Sequence, residues 1–284
     1  EMDVGGYAGF QVEIHEPGIA LFTFNQPDRL NGMTVAMKRD LVEALLQAQF
    51  DDGVRVVAFT GSGRAFCAGD DLQAYGTHDG GDERRVSPIP PGHGSPIATY
   101  GALRGVSQAL NRAVRELDKI SIAAVNGIAI QTGFSLALAC DFRIASSEAR
   151  LGSATLRFGL LPDEGGQYLL VQHLGVGRAL DFLMRKRIVS AAEALDLGLL
   201  SEVVPHDQLL ERTLEFAREM ALGPQVAMRL LKRSVYNAAE QSFTQACEDI
   251  AAKTAISDHH SDVREGVTAF RNKRTPHFNA DLDK

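Results

Sequence analysis

Two short stretches of this chain put flexible backbone and polar groups where apolar runs end. In "GSGRAFCAGDDLQAYG", Gly61 to Gly76, glycines, Cys67, Asp70 and Asp71 follow the run "VRVVAFT". In "NGIAIQTGFSLALAC", a second apolar run meets Gln131, Thr132 and Gly133 at the start of a helical pattern. Glycine lets backbone approach backbone or ligand closely, and amides exposed past a strand or at a helix N-terminus can hold a developing oxyanion. Other chemistries fit less well. The first stretch has neither the Gly-x-x-x-x-Gly-Lys-Ser/Thr of a phosphate cradle nor a Gly-x-Gly-x-x-Gly fingerprint. Asp70 and Asp71 are adjacent and lack convergent partners for a metal. Cys67 has no base near it in sequence and reads as an inert buried thiol. Ser135, in "GFSLA", is not set in a nucleophile elbow.

The elements that must position these groups can be read from periodicity. "FQVEIHEPGIALFTF", Phe10 to Phe24, alternates on either side of "EPG" and predicts a β-hairpin. Thr34 caps a predicted helix, "VAMKRDLVEALLQAQF". A strand over Val54 to Thr60, the apolar run "ISIAAVNGIAI" and the short run "FRIAS" alternate with helical patterns, which argues for an α/β core. From about Ser190 apolar residues recur at three-to-four spacing, so the chain divides into a core over 1–195 and a helical region over 196–284. Residues 76–101, rich in Gly, Pro and charge, predict a long loop in which His78 and His93 are solvated bystanders.

Composition narrows the classes. The 284 residues are 45% hydrophobic and 23% charged with a net charge of −7, which suits a soluble globular protein and gives no electrostatic support for nucleic-acid or membrane partners. Three scattered cysteines give neither a disulfide framework nor a metal spacing. The opening "EMDVGGYAGF" has neither the basic nor the apolar segment of a secretory signal, and no run approaches the ~20 apolar residues that cross a bilayer. The expectation is a cytoplasmic protein.

"RAFCAGDDL" and "IAAVNGIAIQTGFSLALACDFRIAS" resemble the two signature regions of the crotonase superfamily, which includes the enoyl-CoA hydratases and isomerases; the likeness extends from the hairpin to "GVTAFRNKRTPHF". The resemblance implies a crotonase-like spiral of ββα units with a C-terminal helical region, assembled as a homotrimer or a dimer of trimers. It implies an acyl-CoA thioester as substrate, with coenzyme A part of that substrate rather than a separate cofactor; from the residues themselves no metal is expected. The oxyanion donors it implies are the amides of Asp70 and Thr132. By the same resemblance Arg29 approaches the CoA phosphates, Ala68, Asp71 and Leu72 surround the adenine, and Phe270 and Lys273 touch CoA from the C-terminal end.

The chain departs from that pattern at the two glutamates of the hydratases, where Ser135 and Thr155 stand. Hydration needs a base for water and an acid for carbon, and hydroxyls cannot replace carboxylates near neutral pH. The remaining acids lie in "GLLPDEGGQY". Several isomerases of the family hold their single acid in a similar motif, so Asp163 is the preferred base and Glu164 the second candidate. The expected activity is Δ3-Δ2 enoyl-CoA isomerisation in fatty-acid or related acyl-CoA metabolism. A CoA-thioester or carbon–carbon hydrolase and a catalytically idle acyl-CoA-binding protein are the alternatives. Asp141, in "ACDF", reads as a structural hydrogen-bonding residue.

Overall fold

A computed structural model describes residues 2–71 and 95–282. Leu72, His78, His93 and most of the 76–101 segment lie outside the described residues. The hairpin forms as the alternation predicts, β1 (Phe10–His15) against β2 (Ile19–Phe24). Helix α1 (Val35–Phe50) follows, with the Thr34 hydroxyl accepting from the Met37 amide at 3.1 Å.

The first apolar run is followed by a second strand inside the glycine-rich stretch, and the second run splits into two strands. β3 (Val56–Gly61) is followed by β4 (Ala65–Cys67), and β5 (Ile120–Val125) by β6 (Ile128–Ile130). Part of the expected glycine loop is therefore strand. The breaks fall at glycines for a steric reason: a Cβ at Gly61 would lie 2.2 Å from the Ala65 carbonyl oxygen, and one at Gly127 would lie 2.1 Å from that of Arg64. Between these pairs run α2 (Pro96–Ala102) and α3 (Gln108–Glu116). After β6 come α4 (Thr132–Ala139), β7 (Phe142–Ser146), β8 (Arg150–Gly152) and α5 (Gly166–Met184).

At each repeat the chain steps from a large sheet to a small one and returns through helix. The large sheet has the order β1-β2-β3-β5-β7-β10 and the small one β4-β6-β8-β9, where β9 is Ile188–Ser190 and β10 is Glu202–Val204. This is the expected spiral of ββα units. Strand β5 is buried at every position, as a strand covered on both faces must be. β10 lies beyond residue 195, so the region over 196–284 contributes an edge strand to the core as well as helices. Those helices, after α6 (Ala191–Asp196), are α7 (Leu209–Leu222), α8 (Gln225–Ala238), α9 (Phe243–Ser257) and α10 (Ser261–Arg271). α7 lays Ala217 and Ala221 against Ile19, Val56 and Ile122 of the large sheet. A second core, including Phe22, Phe59, Phe66, Leu41 and Leu170, joins α1 and α5 to both sheets.

Candidate active site

β4 and β6 are parallel neighbours, so the segments that leave them, Ala68–Asp71 and Gln131–Gly133, emerge side by side. Their approach leaves no room for a side chain at residue 133. A Cβ on Gly133 would lie 2.1 Å from the Cys67 carbonyl oxygen, and Gly69, at φ +110°, has Gln131 Cβ 3.4 Å from where its own would be. Gln131 itself takes φ 50° as the chain turns into α4. The first amides of a helix have no acceptor within it, and here they belong to Thr132 and its neighbours. The Ala68–Asp71 segment is zipped to residues 30–33 through Ala68 N to Leu30 O, Met33 N to Gly69 O and Asp71 N to Met33 O. The two positions singled out as oxyanion donors, Asp70 and Thr132, are thus brought together, and their side chains meet: Thr132 Oγ1 lies 2.7 Å from Asp70 Oδ1.

The same hydroxyl lies 2.7 Å from Glu164 Oε1. Glu164 precedes α5 in a turn shaped by Gly165 at φ +91°, and it is only 3% exposed. Gln131 Nε2 donates to Glu164 Oε2 at 3.1 Å, and Ser153 Oγ donates to Gln131 Oε1 at 3.0 Å. Backbone contacts fix the turn from the other side: Asn111 and Gln108 of α3 donate to the carbonyls of Glu164 and Asp163, each at 3.0 Å. Burial pushes the Glu164 carboxyl above its ordinary range, and the charges of Asp163 and Asp70 add to that; a hydrogen bond received from Thr132 would oppose it. Asp163, one residue earlier, is exposed.

Lys38 completes the cluster. It is fully buried on α1, with Nζ 2.7 Å from Asp70 Oδ1 and 2.9 Å from Ser107 Oγ. Sequence reading passed over it, together with Ser153, and noted Gln131 only as a neighbour of Thr132. A signal was available, because Lys38 falls at i on the stripe that continues with Leu41 and Leu45, all of them buried. A lysine on a core face calls for an anion.

Ser135, at the place of the first hydratase glutamate, is buried in α4 with Oγ 2.2 Å from where a Gly166 Cβ would stand. Helix α5 therefore begins directly on it. Thr155 is half-buried and its hydroxyl has no partner. Cys67 is buried, its thiol pushed up to about 12 by burial, which fits an unreactive side chain. Arg29 and Asp71, both proposed for CoA, form an ion pair with each other, the arginine half-exposed and the aspartate buried. Phe270, 85% exposed, and Lys273 lie at the end of α10, and no hydrogen bond or ion pair among the described residues joins them to the Asp70–Thr132 cluster. A cleft of about 900 Å³ opens between the hairpin turn at Pro17 and the segment after α10, and none of these groups lines it. Among the described residues no group of three or more His, Cys, Asp and Glu is placed to hold a metal, and no helix is long and apolar enough to cross a membrane.

Two strand ends abutting across glycines beside a helix N-terminus form the arrangement that the resemblance to the crotonase superfamily implies. The comparisons agree. The model of the family described as enoyl-CoA hydratase/isomerase matches residues 15–88 and 92–281. The chain is 34% identical over 267 residues to the 1,2-epoxyphenylacetyl-CoA isomerase of Escherichia coli (strain K12), covering 93% of this chain and 95% of that protein. It is 32% identical over 261 residues to the enoyl-CoA hydratase EchA19 of Mycobacterium tuberculosis (strain H37Rv), covering 91% and 92%. The crystal structure of an enoyl-CoA hydratase from Bacillus anthracis superposes with a TM-score of 0.84 at 32% identity, covering 95% of this chain and 99% of that one. The chain belongs to the enoyl-CoA hydratase/isomerase family, and it is an acyl-CoA enzyme of that family.

Proposed function

We propose that the enzyme is an isomerase that moves the double bond of a 3-enoyl-CoA to the 2 position, with Asp163 as its base. The observation that carries this reading is the distribution of acids. Hydroxyls stand at 135 and 155, where hydration would need carboxylates, while the turn bearing Asp163 and Glu164 packs directly on Thr132. In the proposed reaction the thioester oxygen takes hydrogen bonds from the Asp70 and Thr132 amides. Asp163 removes a proton from C2, electrons flow into the carbonyl to give an enolate, and the same carboxyl returns the proton at C4. Atoms and electrons balance with one acid–base group. Asp163 is favoured over Glu164 because it is exposed, whereas both Glu164 oxygens are engaged and buried. Ordinary hydration should be weak, since each missing acid–base group is typically worth about 10²–10⁴-fold.

Coenzyme A enters as part of the substrate, with Arg29, Ala68, Asp71, Leu72, Phe270 and Lys273 as its proposed contacts. A cytoplasmic homotrimer or dimer of trimers is part of the same reading. The test is purified enzyme with a 3-enoyl-CoA, following the 2-enoyl product by its absorbance. Turnover is expected to fall about 10²–10⁴-fold in Asp163→Asn. No turnover, or turnover unchanged in that variant, overturns the assignment. A second reading is favoured by the relative named for 1,2-epoxyphenylacetyl-CoA. Two amides holding a thioester oxygen beside one carboxyl would also serve an arylacetyl-CoA epoxide, and assaying that compound in parallel decides between the substrates. CoA thioesters bound by calorimetry without turnover of either would point instead to an idle binding protein.

A further inference from the structure

The Thr132 hydroxyl touches two carboxyl oxygens at the same distance, 2.7 Å from Asp70 Oδ1 and 2.7 Å from Glu164 Oε1. A hydroxyl has one hydrogen and donates to one of them. The other contact joins two oxygens at full hydrogen-bond length, so it requires a proton from a carboxyl. The geometry points to Thr132 as a positioning residue that fixes a single proton on Glu164, so that a neutral acid rather than a carboxylate stands beside the two amides. This inference rests on reading those amides as the oxyanion hole.

The surrounding groups assign the proton. Lys38 brings its positive charge to Asp70 Oδ1, and among the described residues Glu164 has no cation within ion-pair distance. The hydrogen bonds then run in one direction without conflict. Ser153 donates to Gln131 Oε1, and Gln131 Nε2 donates to Glu164 Oε2, which serves as the carbonyl oxygen of the acid. Glu164 Oε1 donates to Thr132, and Thr132 and Lys38 both donate to Asp70. Among the described residues, the titratable groups around Glu164 are Asp163 on its own turn, Cys67 at the end of β4, Asp70 just beyond it, and Lys38 on α1. Burial, first, and the two neighbouring aspartates favour the neutral form, against the Lys38 charge and any hydrogen bond received from Thr132. The chemical benefit follows directly. An ionised Glu164 would repel the enolate that the neighbouring amides are there to hold, whereas Lys38, Asp70 and a neutral Glu164 together carry no net charge.

The experiment is an infrared pH titration of the enzyme without substrate, reading the C=O stretch of protonated carboxylic acid. An acid band is expected at pH 7, well above the ordinary glutamate value of about 4.3, and it should be absent from Glu164→Gln. Its midpoint should drop by at least about one pH unit, a tenfold loss of proton affinity, in Asp70→Asn, where a neighbouring negative charge is removed and Thr132 can turn its hydrogen to Glu164. In Thr132→Val, which keeps the backbone amide, the band should move to higher frequency because the acid has lost its acceptor; Thr132→Ser should restore it. Absence of any Glu164-dependent band at pH 7 overturns the inference, even if the other variants fail to fold. A band unmoved in both Asp70→Asn and Thr132→Val overturns it too. Because no substrate is involved, an intact band with no isomerase turnover would sink the functional reading alone.

Discussion

Two carboxyls, Glu164 buried and Asp141 half-buried, flank opposite ends of helix α4, and their surroundings differ in kind. Asp141, just past its C-terminus, receives hydrogen bonds from Ser121 N at 2.7 Å and Ser121 Oγ at 3.0 Å, from Tyr236 at 2.6 Å, and from Lys232 at 2.7 Å. Every partner is a donor and one is a cation. Glu164, at the N-terminal end, has a hydroxyl that it shares with Asp70, one amide donor and, among the described residues, no cation in ion-pair contact. The first arrangement suits a permanent anion and the second a group that keeps its proton. Burial alone does not distinguish a structural acid from one tied to chemistry; the count of donors and cations does.

The largest effect expected from breaking this contrast is at Asp141. Its clamp ties β5 and the end of α4 to Lys232 and Tyr236 on α8, so it fastens the C-terminal helices to the sheet. Lys232 also donates to the Lys119 carbonyl and is only 7% exposed. Removing the carboxylate strands this ammonium in the interior. Asp141→Ala should lose about 3–5 kcal/mol of unfolding free energy, the usual cost of breaking a buried pair on one side, measured by denaturant titration. A loss within the range of surface substitutions, about 0.5 kcal/mol, would show that the clamp is not structural.

The next effect sharpens the other half of the comparison through pH. Glu164 has a folded pKa raised by burial, so the folded state holds a proton that the unfolded chain has released. Stability from this group is present below the ordinary glutamate value of about 4.3 and declines as pH climbs toward the raised folded value. The slope can reach about 1.4 kcal/mol per pH unit within that window. Glu164→Gln, which cannot ionise, should flatten it. Equal slopes in wild type and Glu164→Gln would mean that Glu164 is as ionised folded as unfolded.

Much of this contrast was legible before any coordinates. The hairpin, the Thr34 cap and the two glycine-rich strand ends follow from local patterns, because alternation, capping and tight turns are decided within a few residues. The structural role of Asp141 was legible too. What was hidden depends on contacts distant in sequence. Lys38 and Asp70 are partners only because α1 packs beside the end of β4. The choice between Asp163 and Glu164 for the interior depends on a turn whose sense is set by Gly165, and adjacent side chains leave a turn in different directions. No spacing rule shows which of two neighbouring acids goes inside. The second strand at each apolar run was missed for a similar reason, since Gly61 and Gly127 are demanded by carbonyls that only the folded chain brings close.

The smallest effect uses the cysteines, which sample both regions. Cys67 lies under the site, with Sγ 3.5 Å from the Gly69 carbonyl oxygen, and Cys140 precedes Asp141; burial pushes each thiol up to about 12. Cys247, on α9, is exposed. Thiolate is the reactive form, so a buried thiol with a raised pKa waits for local opening before it reacts. In the native enzyme at neutral pH one thiol, Cys247, should label rapidly and the other two slowly, as peptide mass mapping would read. The variants then report where each network acts. Asp141→Ala should speed labelling of Cys140 more than of Cys67, because the clamp it breaks is beside Cys140. Glu164→Gln should leave Cys140 as slow as in wild type, because its contacts end at Thr132 and Gln131. Equal acceleration of both thiols in Asp141→Ala would mean that the two carboxyls belong to one cooperative unit. The distinction between them would then lie in protonation alone.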